Sequence, residues 1–153
     1  MVFDPGPIRN NACSFVLAAD RCAEKRDLPG GQVQWLVVPE VVCRAFGTEL
    51  YLKSIIGLEA IGASLPREHN LSGLFNQLSP GSKEALANAL TFPLNELENK
   101  IANISETFRD WRYIHEVTTK TSIDDGEFLR AFAREVANLS DSLTNPSPNT
   151  EAD

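Results

Sequence analysis

Leu94, Leu97, Ile101, Ile104, Phe108, Trp111 and His115 follow one another at alternating steps of three and four residues. An α-helix, at about 3.6 residues per turn, brings such positions onto one face. The run is about three heptads long, and a seam of that length has to be buried against something. The same period governs most of the chain. Ile8, Ala12, Phe15, Val16, Ala19, Cys22 and Ala23 form the apolar face of a first helix, which stops before the loop Pro29-Gly30-Gly31. A second helix is expected to open near Pro39, since proline suits a first helical turn, and to run to about Gly62. Leu50, Leu52, Ile55, Ile56, Leu58 and Ile61 surround its later part, the pattern of a central buried helix or of one shared with a second subunit. Gly47 and Gly57 weaken that helix, so close helix packing is expected at both.

Leu71, Leu74, Phe75 and Leu78 make a short helical face that Ser79-Pro80-Gly81 closes. Ser82 is expected to cap the next helix, KEALANAL, and Pro93 to break it. After a turn over 118–126, Asp124 or Asp125 is expected to cap a last helix with the stripe Phe128, Phe132, Val136, Leu139 and Leu143. The strand-like run from Val33 to Val38 has no evident partner. The fold class that follows is all-α, an antiparallel helical bundle of about five helices. A chain of 153 residues is long enough for one packed core, expected over 1–143. The polar, proline-containing end, 144–153, is expected to be a disordered C-terminal tail.

The formal net charge is −7. That disfavours non-specific DNA binding, which requires many phosphates to be neutralised at once, though a local basic patch is compatible with it. No apolar run reaches the roughly 20 residues of a membrane span. MVFDPGPIRNN lacks the basic-then-apolar order of a secretory leader, so a cytoplasmic location with no membrane partner is expected. Cys13, Cys22 and Cys43 are odd in number and include no CxxC pair; buried free thiols are expected, and no metal site or cofactor. Gly30-Gly31 lacks the following Lys-Ser of a phosphate loop. Glu49 and Lys53, at i and i+4, suit a structural ion pair, and His69 suits ordering of the loop before Leu71. Trp35, Trp111 and Tyr113 read as packing or interface aromatics.

The chemistry concentrates in Phe108-Arg109-Asp110-Trp111-Arg112-Tyr113-Ile114-His115-Glu116. Histidine moves a proton near neutral pH and arginine holds phosphate charge. Arg109, Asp110, Arg112 and His115 are therefore the candidate catalytic residues. A seam histidine bonded to a neighbour is the plainer reading of His115, and an i,i+4 pair with Glu116 that of Arg112. The helical wheel sets Arg112 beside His115, with Arg109 about 120° away.

Three segments together resemble the HEPN superfamily of small helical domains. Ala45 to Lys53, AFGTELYLK, looks like the family's AFxxELxLK helix. His69-Asn70-Leu71 followed by Leu74-Phe75 looks like its HxL…LF turn and helix. Phe108 to Glu116 is similar to the WRYxxE segment of one bacterial branch. The resemblance spans roughly 35–143. Many members of that family are ribonucleases with an arginine, four to six intervening residues and a histidine, which Arg109-Asp110 and His115 match. The family spacing thus favours Arg109 where the wheel favours Arg112. The resemblance implies a metal-independent endoribonuclease, a toxin or phage-defence component, whose two protomers form a homodimer with a shared RNA cleft. An antitoxin or other regulatory protein is an expected partner. The alternative it leaves open is a catalytically inactive helical module that dimerises and binds a partner protein or a nucleotide. In the WRYxxE branch tyrosine often stands where this chain has His115, and the tyrosine that some toxins carry after the histidine is replaced here by Glu116-Val117.

Overall fold

The structure is a computed structural model that describes residues 4–60, 64–112 and 123–146, with the side chains of 106–112 and 123–124 outside the described set. Six helices and one small hairpin occur among the described residues, in the order α1 (Pro5–Ala23), β1 (Arg26–Leu28), β2 (Gln32–Gln34), α2 (Val37–Glu59), α3 (Leu71–Asn76), α4 (Pro80–Leu90), α5 (Leu94–Arg112) and α6 (Ile123–Thr144). The all-α bundle read from the periodicity is what forms.

Short polar side chains set several of the helix starts, because the first N–H groups of a helix have no partner within it. Asp4 accepts from the N–H of Gly6 at the start of α1. Asn70 accepts from Gly73 at the start of α3. Ser79, with Pro80 behind it, caps α4 and accepts from the N–H of Ser82. The cap of α4 is thus Ser79, three residues before the expected Ser82, because Pro80 and Gly81 already lie in the first turn. Thr91 ends α4 in the left-handed region at φ 60°, and the Phe92 N–H returns to the Ala87 carbonyl.

The expected strand Val33–Val38 is divided. Gln32–Gln34 pairs antiparallel with Arg26–Leu28 in the register Asp27↔Val33, around the positive-φ glycines Gly30 and Gly31. The partner is Arg-Asp-Leu, a polar segment with no alternation to announce it. Val37 and Val38 instead open α2, two residues ahead of Pro39. Helix α6 likewise begins at Ile123, so Asp124 and Asp125 lie inside its first turn. It reaches Thr144, the first residue of the expected tail, while residues 147–153 of that tail lie outside the described set.

Helix α2 lies at the centre, against α1, α3, α5 and α6. Leu52 and Ile55 are fully buried, with Tyr51 and Ile56 nearly so. One chain therefore buries this helix by itself, and its apolar surface does not demand a second subunit. Leu97, Ile101 and Ile104 bury the first half of the α5 seam, and Phe132 and Val136 the α6 stripe. Phe75 and Phe132 meet edge-on at 6.3 Å between centroids. Burial of each such side chain contributes about 1.5–3 kcal/mol. The cysteines depart from expectation: all three are free, but Cys13 is exposed and Cys22 and Cys43 only half-buried. Burial, with Cys22 adding to it, pushes the Cys43 thiol up.

The crossing of α1 and α2 depends on Gly47, as expected for close packing; Gly57 is also buried. A β-carbon at position 47 would stand 2.8 Å from Val16 Cγ2 and 3.1 Å from the Ala12 carbonyl oxygen. Gly47→Ala is expected to destabilise the fold by about 1–3 kcal/mol in urea denaturation, because overpacking outweighs alanine's better helix propensity.

Candidate functional site

Helix α5 carries the motif positions Arg109, Asp110 and Arg112 on its last turns. Their side chains lie outside the described residues, as does the whole of His115. The segment just before them is described and tightly held. Ser105 is buried; its Oγ donates to the Ile101 carbonyl at 2.7 Å and accepts the Ser72 N–H at 2.9 Å. That bond ties the first turn of α3 to α5 four residues ahead of Arg109.

At the same end of α3, the chain entering the helix joins α2 through an ionic clamp. Lys53 Nζ donates to Glu49 Oε1 at 2.9 Å, and His69 Nδ1 stands 2.8 Å from the same oxygen. Glu49 is 3% exposed, Lys53 about 10% and His69 70%. A carboxylate that deeply buried requires a cation, and Lys53, one turn along the same helix, supplies it. His69 then brings the chain entering α3 against α2. Glu68 accepts the N–H groups of His69 and Asn70, which hold its carboxyl below the usual range, the Asn70 bond most strongly. Hydrogen bonds and ion pairs thus join α2, the chain entering α3, and α5 as far as Ser105 into one connected unit.

A second polar cluster was not singled out from the sequence. Glu40 on α2 is 3% exposed. Its Oε1 accepts from Arg130 Nε of α6 at 2.6 Å and lies 3.5 Å from Arg44 Nη2. Arg44 Nη2 also pairs with Asp20 of α1 at 2.9 Å. The Glu40 hydrogen bond raises the Arg130 guanidinium above its ordinary value. Glu40 Oε2 and Arg44 Nε are buried without a hydrogen-bond partner among the described residues. At the other end of α1, Arg9 pairs with Asp141 of α6. Together these pairs set α1 antiparallel to both α2 and α6.

Above the Arg44 cluster opens a cleft of about 790 Å³ between α1, the hairpin, α2 and α6. Trp35, Lys25, Arg130 and Arg134 stand on its walls. Trp35 is 41% exposed, and Lys25 Nζ sits 4.5 Å from its ring centre. Glu40, Arg44 and Arg130 are far apart in sequence and match no spacing rule; the only local signal was the i,i+4 pair Glu40–Arg44. No cluster of metal-ligating side chains exists among the described residues, and no helix among them is long and apolar enough to cross a membrane.

Comparison with family models, with curated proteins and with solved structures gives no match.

The clamp makes its own forecast. Lys53→Met leaves the buried Glu49 carboxylate with only a solvent-exposed histidine, and is expected to cost about 3–5 kcal/mol in chemical denaturation. His69→Ala removes an exposed partner and is expected to cost far less. Equal losses would mean that His69 balances Glu49 as much as Lys53 does.

Proposed function

We propose that this chain is a HEPN-type helical domain that cleaves RNA without a metal, with Arg109 and His115 as the working pair. The observation that supports this reading is the connected unit of α2, α3 and α5. Two of the three segments, scattered over the sequence and each weak alone, meet through Glu49–Lys53–His69, and Ser72–Ser105 ties them to α5 one turn ahead of Arg109, where the third begins. In the proposed reaction His115 takes the proton of a ribose 2′-OH. The 2′-oxygen attacks the adjacent phosphorus, and the bond to the 5′-oxygen breaks. The products are a 2′,3′-cyclic phosphate and a 5′-hydroxyl, which regains a proton. Arg109 holds the charge that builds on the phosphorane oxygens. Because the substrate supplies its own nucleophile, no serine, cysteine or metal is required. Asp110 lies next to Arg109 as the polar residue often found there in the family, and Arg112 serves the helix by pairing with Glu116.

The second reading, a catalytically silent module that dimerises and binds a partner protein or a nucleotide, is favoured by the net charge of −7. Homodimerisation belongs to both readings. It now rests on the family resemblance, since α2 is buried within one chain.

RNA incubated with the protein in EDTA is expected to be cut, with His115→Ala losing about 10²–10⁴-fold of the rate. Arg109→Ala should slow cleavage with the fold intact, whereas Arg112→Ala should cost about 0.2–0.5 kcal/mol of stability and little activity. Cleavage by wild type and His115→Ala alike overturns the assignment of this site, and cleavage by neither overturns the enzyme reading. Light scattering at micromolar concentration is expected to give twice the 16.8 kDa chain mass, and a clean monomer removes the shared cleft.

A further inference from the structure

We infer that the cleft between α1, the hairpin, α2 and α6 binds a small molecule that joins a flat aromatic ring to phosphate, a mononucleotide being the simplest of that class. None of its lining residues comes from α5, so the inference stands without the ribonuclease reading; it deepens the silent-module reading by assigning a site to the nucleotide which that reading names.

Three features point to this chemistry. The first is size: about 790 Å³ falls within the roughly 300–1,000 Å³ of small-molecule sites. The second is a ring-binding wall. Trp35 leaves 41% of its surface open where Val16, Ala23 and Ala137 line the same cleft. An indole exposed beside apolar side chains is a stacking surface for a planar group, and Lys25, its Nζ over the ring 4.5 Å from the centre, adds a cation to that wall. The third is charge. Lys25, Arg44, Arg130 and Arg134 line the cleft with Asp20 and Glu127, while Glu40 and Glu135 hold the arginines from outside the lining, so four cations are concentrated here among four acids in a chain of net −7.

The engagements of these cations leave donors over. Arg44 answers Asp20 and Glu40, yet its Nε is buried without an acceptor in a side chain only 6% exposed. Arg130 spends Nε on Glu40, and its terminal nitrogens have no hydrogen-bond partner among the described residues. Arg134 pairs through Nε with its neighbour Glu135. Arg130 and Arg134 are one turn apart on α6 and share a face. Planar guanidinium forks so placed suit the oxygens of a phosphate better than those of a neutral ligand. The buried Glu40 anchors this arrangement from below, fixing Arg130 and Arg44 before any ligand arrives.

The test follows the Trp35 indole N–H resonance of the ¹⁵N-labelled full chain, assigned by its loss in Trp35→Phe. Adenosine monophosphate is expected to shift it saturably with a Kd of about 1 mM or tighter, and adenosine alone or inorganic phosphate alone to bind at least about tenfold more weakly. Arg134→Glu and Trp35→Ala, both at exposed positions, should each weaken the nucleotide by about fivefold or more with the rest of the spectrum preserved. If Arg134→Glu does not fold, Lys25→Glu takes its place. No saturable shift overturns the inference. So does phosphate that binds as tightly as the nucleotide, which would leave only a general anion site, and so do variants that bind undiminished. A single-stranded oligonucleotide that binds where the mononucleotide does not would assign the cleft to RNA and also overturn it.

Discussion

A helix packed on nearly all sides can carry charge only where its neighbours neutralise it, and α2 carries four charged residues at 8% exposure or less: Glu40, Arg44, Glu49 and Lys53. Each acid has an arginine or lysine one turn along the same helix. Those internal pairs remove most of the cost of burying charge, but a carboxylate has two oxygens and a guanidinium five N–H groups. What remains unmet reaches outwards. Asp20 of α1 and Arg130 of α6 answer the cluster at Glu40 and Arg44, and His69 answers Glu49. The angles and registers at which α1, α3 and α6 meet α2 are thereby constrained by electrostatics as well as by apolar packing.

That arrangement has two functional consequences. At the Glu49 end it connects α2 through α3 to α5, so the turns bearing Arg109 grow from a braced base. Precise placement of charge is what phosphoryl chemistry requires, since much of its acceleration comes from preorganised electrostatics. At the Glu40 end the same demand leaves arginine donors above a cleft with an exposed indole on its wall. The first consequence bears on the ribonuclease reading and the second on small-molecule binding, and the two acids behind them, Glu40 and Glu49, sit about two and a half turns apart on one helix.

Close packing and charge pairing reinforce each other along the α1–α2 contact. Gly47 lets the backbone of α1 approach. That approach carries Asp20 to Arg44 and sets Tyr51 near Cys13, where burial foremost pushes the phenol up to about 12.

The sequence by itself determined the helices and which of their faces are buried, because a 3.6-residue period is a local property that Leu97, Ile101, Ile104, Phe132 and Val136 display without reference to the rest of the chain. It also announced the Glu49–Lys53 pair, which needs only one turn of helix, and the close approach at Gly47. Tertiary structure decided what depends on residues far apart. The pairing of Arg26–Leu28 with Gln32–Gln34 carries no alternation to betray it, because both strands are exposed on both faces. The cap at Ser79 in place of Ser82 turned on where Pro80 falls in the first turn. The meeting of Glu40 with Arg130 spans 90 residues, and its cleft exists only once α1, α2 and α6 are packed. Ion pairs and cavities of this kind have no period to leave in a sequence; they arise where the remaining charge of one helix meets the surface of another.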